Sequence, residues 1–406
     1  YIEDYILFGE LSLAGDIKGV KGTLPIILAG VSEGKMNFVL PYENLNECKY
    51  IKEAKYYPLS NLKESISFLN YRDMLPYDSF LLEEVSREKY LDFSDIIGQE
   101  SSKRAMEIVA AGNHNILIYG STGAGKTMLA NALQSILPDL TKEEELEVAK
   151  VYSIAGNDKL CNVKRPFRNP HHTITQAALL GGGAVPRPGE ITLSEGGVLF
   201  LDEMTEFNQV IMEALRQPLE DKVITLVRVN AAYTYPAHFM LAAAINPCKC
   251  GYYPDRNRCH CSEYDIRRYI GRISNPMWDR FDMCVKVDEV SYEVMRNKGN
   301  VDTIYNSTDM KNKVEAARQM QKDRFKKLDI NYNSQMGVRE IHKYCTLNVE
   351  CNELMERMYK QHHMSARAYN KVLKTARTIA DLKGSVNIEK EHLTEALFYK
   401  NCEVKS

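Results

Sequence analysis

The sequence predicts an α/β fold in which a parallel sheet carries a phosphate-binding loop and a C-terminal helical domain closes over it. Three observations predict it. Gly120-Ser121-Thr122-Gly123-Ala124-Gly125-Lys126-Thr127 fits G-x-x-x-x-G-K-[ST], after the apolar run Ile116-Leu117-Ile118-Tyr119 and before a helical pattern from Met128 to Ile136. Strands and helices alternate from Phe93 to about Val290, as in a parallel sheet covered by helices. From about Val301 the apolar spacing turns helical, in segments near 310–327, 336–345, 350–361, 365–383 and 387–399.

A chain of 406 residues is expected to form two or three domains. No run of 18 apolar residues suggests a membrane span, so no membrane partner is expected. The formal charge of −2 announces no nucleic acid, so any such contact must come from local positive surface. Ten cysteines in a chain with a nucleotide loop fit a reducing cytosol, and a cytoplasmic location follows as an expectation. The chain opens at Tyr1 inside an apolar run, so its start is expected to be truncated.

Taken in order, residues 1–75 alternate apolar runs with turns and read as a small α/β piece. Residues 76–92, opening on Pro76, read as a linker after a helix. Residues 93–300 form the sheet-bearing core, and residues 301–406 the helical lid.

The loop residues Gly120 to Thr127 turn backbone N–H groups toward an anion, and the following helix N-terminus adds a favourable field. Lys126 is expected to reach the β- and γ-phosphates of ATP, and the Thr127 hydroxyl to sit on Mg²⁺. Gly197-Val198-Leu199-Phe200-Leu201-Asp202-Glu203 is an apolar strand ending in two acids. Asp202 there suits the Mg²⁺ shell, and Glu203 suits an attacking water. A third strand, from Phe239 to Ile245, ends in Asn246, an amide placed to sense a γ-phosphate; the alternative is a plain Asn246-Pro247 turn.

Asp95-Ile96-Ile97-Gly98-Gln99-Glu100, the phosphate loop, Leu201-Asp202-Glu203, Asn246-Pro247, Asp279-Arg280-Phe281-Asp282 and Ser365-Ala366-Arg367 fall in an order that resembles the AAA+ ATPases. Arg165-Pro-Phe-Arg-Asn-Pro-His-His-Thr173, Arg216-Gln-Pro-Leu-Glu220, Asn246-Pro-Cys-Lys-Cys-Gly251 and Ala376-Arg-Thr-Ile-Ala-Asp-Leu382 narrow this to the magnesium-chelatase-like branch. Within it the chain is similar to the competence protein ComM (YifB) family. The resemblance implies a ring, usually a hexamer, with ATP between neighbours. Arg280 then matches the arginine finger and Arg367 the second sensor. Alternatives are a surface ion pair of Arg280 with Asp279 or Asp282, and Arg272 as the finger. The implied task is ATP-driven branch migration of recombination intermediates in transformation, alongside recombination proteins. A chelatase-assisting motor and a nucleotide-stabilised scaffold are the rivals.

Cys248-Lys249-Cys250 and Cys259-His260-Cys261 place four of the ten cysteines within fourteen residues. Two close thiol pairs across a turn suit structural Zn²⁺, which favours closed four-coordinate thiolate shells. A disulfide or free buried thiols are the alternatives, and the similar family carries cysteine pairs here. Between Lys164 and Glu195 a glycine-rich segment is placed, by the same resemblance, toward the ring pore. Residues 223–240 read as a β-hairpin turning near Asn230. Lys164, Arg165, Arg168, Arg187 and Arg228 are the cations expected to meet a DNA backbone. The first residues, at Gly9-Glu10-Leu11-Ser12-Leu13 and Gly15-Asp16-Ile17, resemble part of a Lon-type protease domain. The Ser–Lys dyad that such proteolysis needs has no counterpart at Gly22-Thr23-Leu24-Pro25-Ile26, and a truncated piece of this kind is expected to be poorly ordered.

Overall fold

A computed structural model describes residues 2–72, 74–77, 90–156, 164–183, 186–227, 232–296 and 305–400. Five parallel strands form the central sheet, in the spatial order Met283–Val287, Ile116–Gly120, Met240–Ile245, Val198–Leu201, Phe167–Arg168. Four of the five are near-continuous apolar runs because both faces of the sheet are covered. Alternate residues divide between the two faces. Ile116, Ile118, Ala242, Ala244 and Val285 face helices Glu100–Gly112 and Lys126–Ile136, while Leu117, Leu199, Leu201, Leu241 and Ala243 face Ile211, Leu215 and Trp278.

Among the described residues, six α-helices follow the last strand: the short Tyr292–Arg296, then Ser307–Phe325, Val338–Tyr344, Val349–Gln361, Ala366–Leu382 and Lys390–Lys400. Asn306, Asn348 and Ser365 start three of the later five, each side chain accepting the N3 amide hydrogen. Met310, Val314, Ala317 and Ile379 lie in the same core as Ile108, Leu129 and Leu133. The lid and the sheet helices therefore share one apolar interior. Within the lid, Asp381 is buried and pairs with Arg324 and Arg377, and Asn333 donates to it at 2.8 Å. That network gives the Ala376–Leu382 stretch a structural role, since a buried carboxylate needs its charge and lone pairs satisfied.

The N-terminal piece is a three-stranded parallel sheet of Tyr5–Leu7, Asn37–Pro41 and Lys55–Leu59, with helix Thr23–Ser32 against it. Residues 2–72 share a core with the rest of the chain. Leu24, Ile27, Phe38, Leu40 and Tyr56 are buried together with Ala149, which comes from helix Lys142–Ala155 of the sheet-bearing core. Gly22 and Leu24 also donate their amides to Ser153 O and Ser153 Oγ, at 2.9 and 3.2 Å. Most of the expected linker, residues 78–89, lies outside the described residues. Strands Val223–Val227 and Ala232–Pro236 pair antiparallel as a hairpin; its turn, with Arg228 and Asn230, lies outside them too.

Candidate functional site

The carboxyl ends of the three middle strands converge on the phosphate loop, the usual place for a ligand in an open parallel sheet. Tyr119 pairs with Ile245, so Asn246 lies directly beside the loop. Gly123 and Gly125 have φ of +82° and +93°, a left-handed backbone that a side chain would strain. Gly120 abuts the carbonyl of Val287 on the neighbouring strand, where a Cβ would collide.

Lys126 is buried, and its ammonium donates to Gly120 O at 2.8 Å, Ser121 O at 2.7 Å and Asn246 Oδ1 at 2.9 Å. Burial holds this ammonium below its usual range, while Asp202 and Glu203 pull the other way. Phosphate arriving at the loop would therefore meet a cation that gains by pairing with it. Thr127 Oγ1 donates to Asp202 Oδ2 at 2.7 Å. These are two hard oxygen ligands in contact, which fits Mg²⁺, a cation that takes few protein oxygens beside water and substrate phosphate. Glu203 is exposed and carries φ 50° and ψ 46°, an unusual conformation for a non-glycine residue and the kind of strain found at functional sites. The loop, Asp202, Glu203 and Asn246 thus meet in one place.

Arg280 and Arg367 meet somewhere else. Arg280 Nη2 pairs with Glu220 Oε1 at 2.5 Å, and Arg367 Nη2 lies 3.9 Å from the same oxygen. Neither expected partner of Arg280, Asp279 or Asp282, holds its guanidinium. Asp282 is instead occupied by Lys371 Nζ at 3.1 Å and the Asn115 amide at 2.9 Å. Despite its burial, that cation holds the Asp282 carboxyl far below the usual carboxylate range. Lys371 also donates to the carbonyls of Asp279 and Phe281, at 2.6 and 3.0 Å. The helix that begins beside Arg367 therefore grips the backbone on both sides of Arg280. Sequence reasoning missed Glu220 and Lys371, although Glu220 ends the Arg216–Glu220 stretch. Arg272 binds Thr205 O and Glu206 at 3.1 and 3.0 Å.

The expected DNA cations separate. Arg165 turns inward, donating to Pro138 O, Gly196 O and Glu144 at 2.6, 2.7 and 2.6 Å, and Arg168 forms a two-point pair with Glu190 at 2.6 and 2.7 Å. In this structure both side chains spend their donors on the fold and act as struts. Lys164 lies 4.9 Å from the Tyr90 ring centroid; Arg187 is exposed with no ion pair among the described residues; Arg228 lies outside them.

The four cysteine sulfurs lie within 4.8 Å of one another. Cys248 and Cys250 are 3.3 Å apart, and Cys259 lies 3.7 and 3.6 Å from them. A tetrahedral Zn–S shell with bonds of about 2.3 Å has sulfur–sulfur edges of about 3.8 Å, so the arrangement fits that ion. Burial pushes the Cys250 thiol up, yet hydrogen bonds from the Tyr252 backbone and the neighbouring thiols outweigh it and bring it down to about 7. His260 is exposed.

Residues 92–295 match the family described as magnesium chelatase, subunit ChlI, and residues 305–400 match its C-terminal region. Residues 1–44 match the family described as subunit ChlI of Mg-chelatase. The chain is 39% identical over 406 residues to the competence protein ComM of Haemophilus influenzae, covering 98% of this chain and 78% of that protein. It is 38% identical over 405 residues to the uncharacterized protein YifB of Escherichia coli, with the same coverage. A shorter likeness, 30% over 143 residues, links 33% of the chain to 26% of Lon protease 2 of Bacillus subtilis.

Proposed function

The chain belongs to the ComM/YifB family of magnesium-chelatase-like AAA+ ATPases, and from that premise we propose that it is a ring-forming, hexameric motor that moves branched DNA. Its task on this reading is branch migration of recombination intermediates in competent bacteria, in company with recombination proteins. One observation carries the motor reading. Arg280 and Arg367 share Glu220, and among the described residues neither bonds to the phosphate loop. Two cations held together on one half-exposed carboxylate suit delivery to a phosphate bound by a neighbouring copy.

The residues then divide the work. The amides of Gly123 and of Gly125 to Thr127 receive the phosphates, and Lys126 exchanges its carbonyl partners for phosphate oxygens. Mg²⁺, held by Thr127 and Asp202, would neutralise charge on the β- and γ-oxygens. Glu203 orients and polarises the attacking water. Asn246, already bonded to Lys126, reports whether the γ-phosphate is present. Arg280 and Arg367 leave Glu220 for the charge that develops on the neighbour's γ-phosphate, so hydrolysis depends on subunit contact. Zn²⁺ on the four cysteines would be structural, since four thiolates leave no open position. Lys164, Arg187 and Arg228 remain the proposed DNA contacts, multiplied by the ring.

Strand displacement on a three-strand junction tests this, with Lys126→Ala and Glu203→Gln as controls. ATP-dependent displacement by the unaltered protein and none by either variant is expected. An assembled ring that hydrolyses ATP yet moves no junction would refute the DNA task. Activity that responds to a chelatase partner and ignores DNA would favour the metal-insertion motor, and full function in Glu203→Gln would favour a scaffold.

A further inference from the structure

The cysteine cluster is not a remote staple. Its chain leaves the sheet at Asn246, two residues before Cys248, and returns against the phosphate loop. Gly251, one residue beyond Cys250, accepts the Thr122 amide hydrogen at 3.3 Å. It has φ +83°, and a Cβ there would strike the Thr122 side chain. Only glycine lets the module lie this close to the loop. The second contact comes from Arg258, one residue before Cys259. Its guanidinium lies 4.7 Å from the Tyr252 ring centroid and pairs with Asp255 at 2.8 Å and Glu289 at 2.7 Å. Glu289 in turn bonds to Ser121 of the phosphate loop.

Tyr252 and Arg258 also line a cavity of about 470 Å³ beside the loop, together with Ile96, Ile97, Gln99 and Met128. A half-apolar cavity at the mouth of a phosphate loop is where the base and ribose of a bound nucleotide would lie. One wall is therefore built by the segment strung between the two cysteine pairs. With the cluster closed by a metal, Gly251 and Arg258 are fixed at both ends. With it open, that wall keeps only the small apolar cluster of Cys248, Cys259 and Ile266, on which Tyr252 and Tyr253 pack, and exposed ion pairs that contribute little.

We propose that the four-cysteine module is a wall of the nucleoside pocket, and that a metal-closed cluster sets the affinity for the base and ribose while leaving the triphosphate contacts unchanged. This rests on the reading of residues 120–127 as an ATP site, and the test separates the two. Fluorescent N-methylanthraniloyl-ADP is titrated into the full chain, with Mg²⁺ present throughout, and inorganic tripolyphosphate serves as a competitor that lacks base and ribose. Arg258→Ala is expected to weaken the nucleotide about tenfold, losing a stacked cation and the tie to Glu289, with tripolyphosphate unchanged within about twofold. A zinc-selective chelator is expected to cause a similar loss, reversed by added Zn²⁺. Tyr252→Leu serves as a second variant should Arg258→Ala not fold, as judged by its thermal unfolding.

Unchanged nucleotide affinity in the variant and after chelation would overturn the proposal. So would a loss in the variant with none on chelation, since the metal would then have no hold on the pocket. An equal loss of tripolyphosphate binding would overturn it by moving the effect to the phosphate loop. No binding of the probe by the unaltered protein would instead refute the nucleotide site itself.

Discussion

If Arg280 completes a neighbour's site, two inactive variants should restore each other. Lys126→Ala removes the ammonium that contacts Gly120 O, Ser121 O and Asn246 Oδ1, so that subunit loses its phosphate site but keeps its arginines. Arg280→Ala does the reverse. The substitution is tolerable to the fold because the carboxylate it leaves, Glu220, is 51% exposed and can be solvated. Each variant alone should lose about a thousandfold or more of its ATPase rate, the range seen when an arginine finger is withheld. In rings assembled at random from equal amounts, a site works when an Arg280→Ala subunit supplies the loop and a Lys126→Ala neighbour the arginine. That condition holds at about a quarter of the interfaces in a closed ring of head-to-tail contacts. Phosphate release should therefore recover to roughly a quarter of the unaltered rate on mixing. The assay is steady-state phosphate release after the two proteins are disassembled and annealed together, with subunit exchange followed by a fluorescent label. A mixture that exchanges subunits yet stays as inactive as its components would refute an arginine acting between neighbours.

Glu220→Gln should free both arginines, raising the ATPase rate about two- to fivefold at protein concentrations below ring saturation, since a half-exposed pair contributes no more than about 1 kcal/mol; an unchanged concentration curve would sink the idea. Cys250→Ser should lower bound zinc to well under one ion per chain by atomic absorption, because a closed shell needs all four thiolates; retention of a full equivalent would mean the metal sits elsewhere. Glu195 is buried, and burial pushes its carboxyl up to about 8 even though the His238 amide, at 2.6 Å, favours the charged form. A raised folded-state value means that its contribution is full below about pH 4 and lost as pH rises to about 8. Glu195→Gln keeps an acceptor without the charge, and should exceed the unaltered protein by on the order of 2 kcal/mol at pH 8, less at pH 5, in urea unfolding; a difference that does not grow with pH would count against it.

What could be read from the sequence was what short contiguous segments determine. The phosphate loop is eight successive residues whose backbone does the binding, so its spelling announces it. Asp202 and Asn246 were legible for a related reason: a strand end fixes where the next side chain stands once the strand is recognised. The hairpin at residues 223–236 and the lid helices carried their own periodicity. What escaped was the pairing of side chains between distant segments outside the phosphate-loop site. Arg165 and Arg168 looked like surface cations because a sequence displays the sign of a charge and not its partner; Glu144 and Glu190 decide their fate. The shared core of the lid and the sheet helices was hidden in the same way, since an amphipathic helix shows that it has an apolar face and not what covers it.

The arginines carry this furthest. Arg280 and Arg367 could each be matched to a role separately, but nothing in either segment says that they converge on Glu220, or that Lys371 binds the carbonyls on both sides of Arg280. Those contacts have a mechanical consequence. Arg367 opens the helix on which Lys371 stands one turn later, so displacing that helix must pull on the backbone that presents Arg280. On the proposed reading of Arg280 as a finger for a neighbour's phosphate, a shift of that helix and a movement of Arg280 cannot occur separately. By this geometry the two cations answer to one movement, so ATP at one interface would reposition the lid of the subunit next to it.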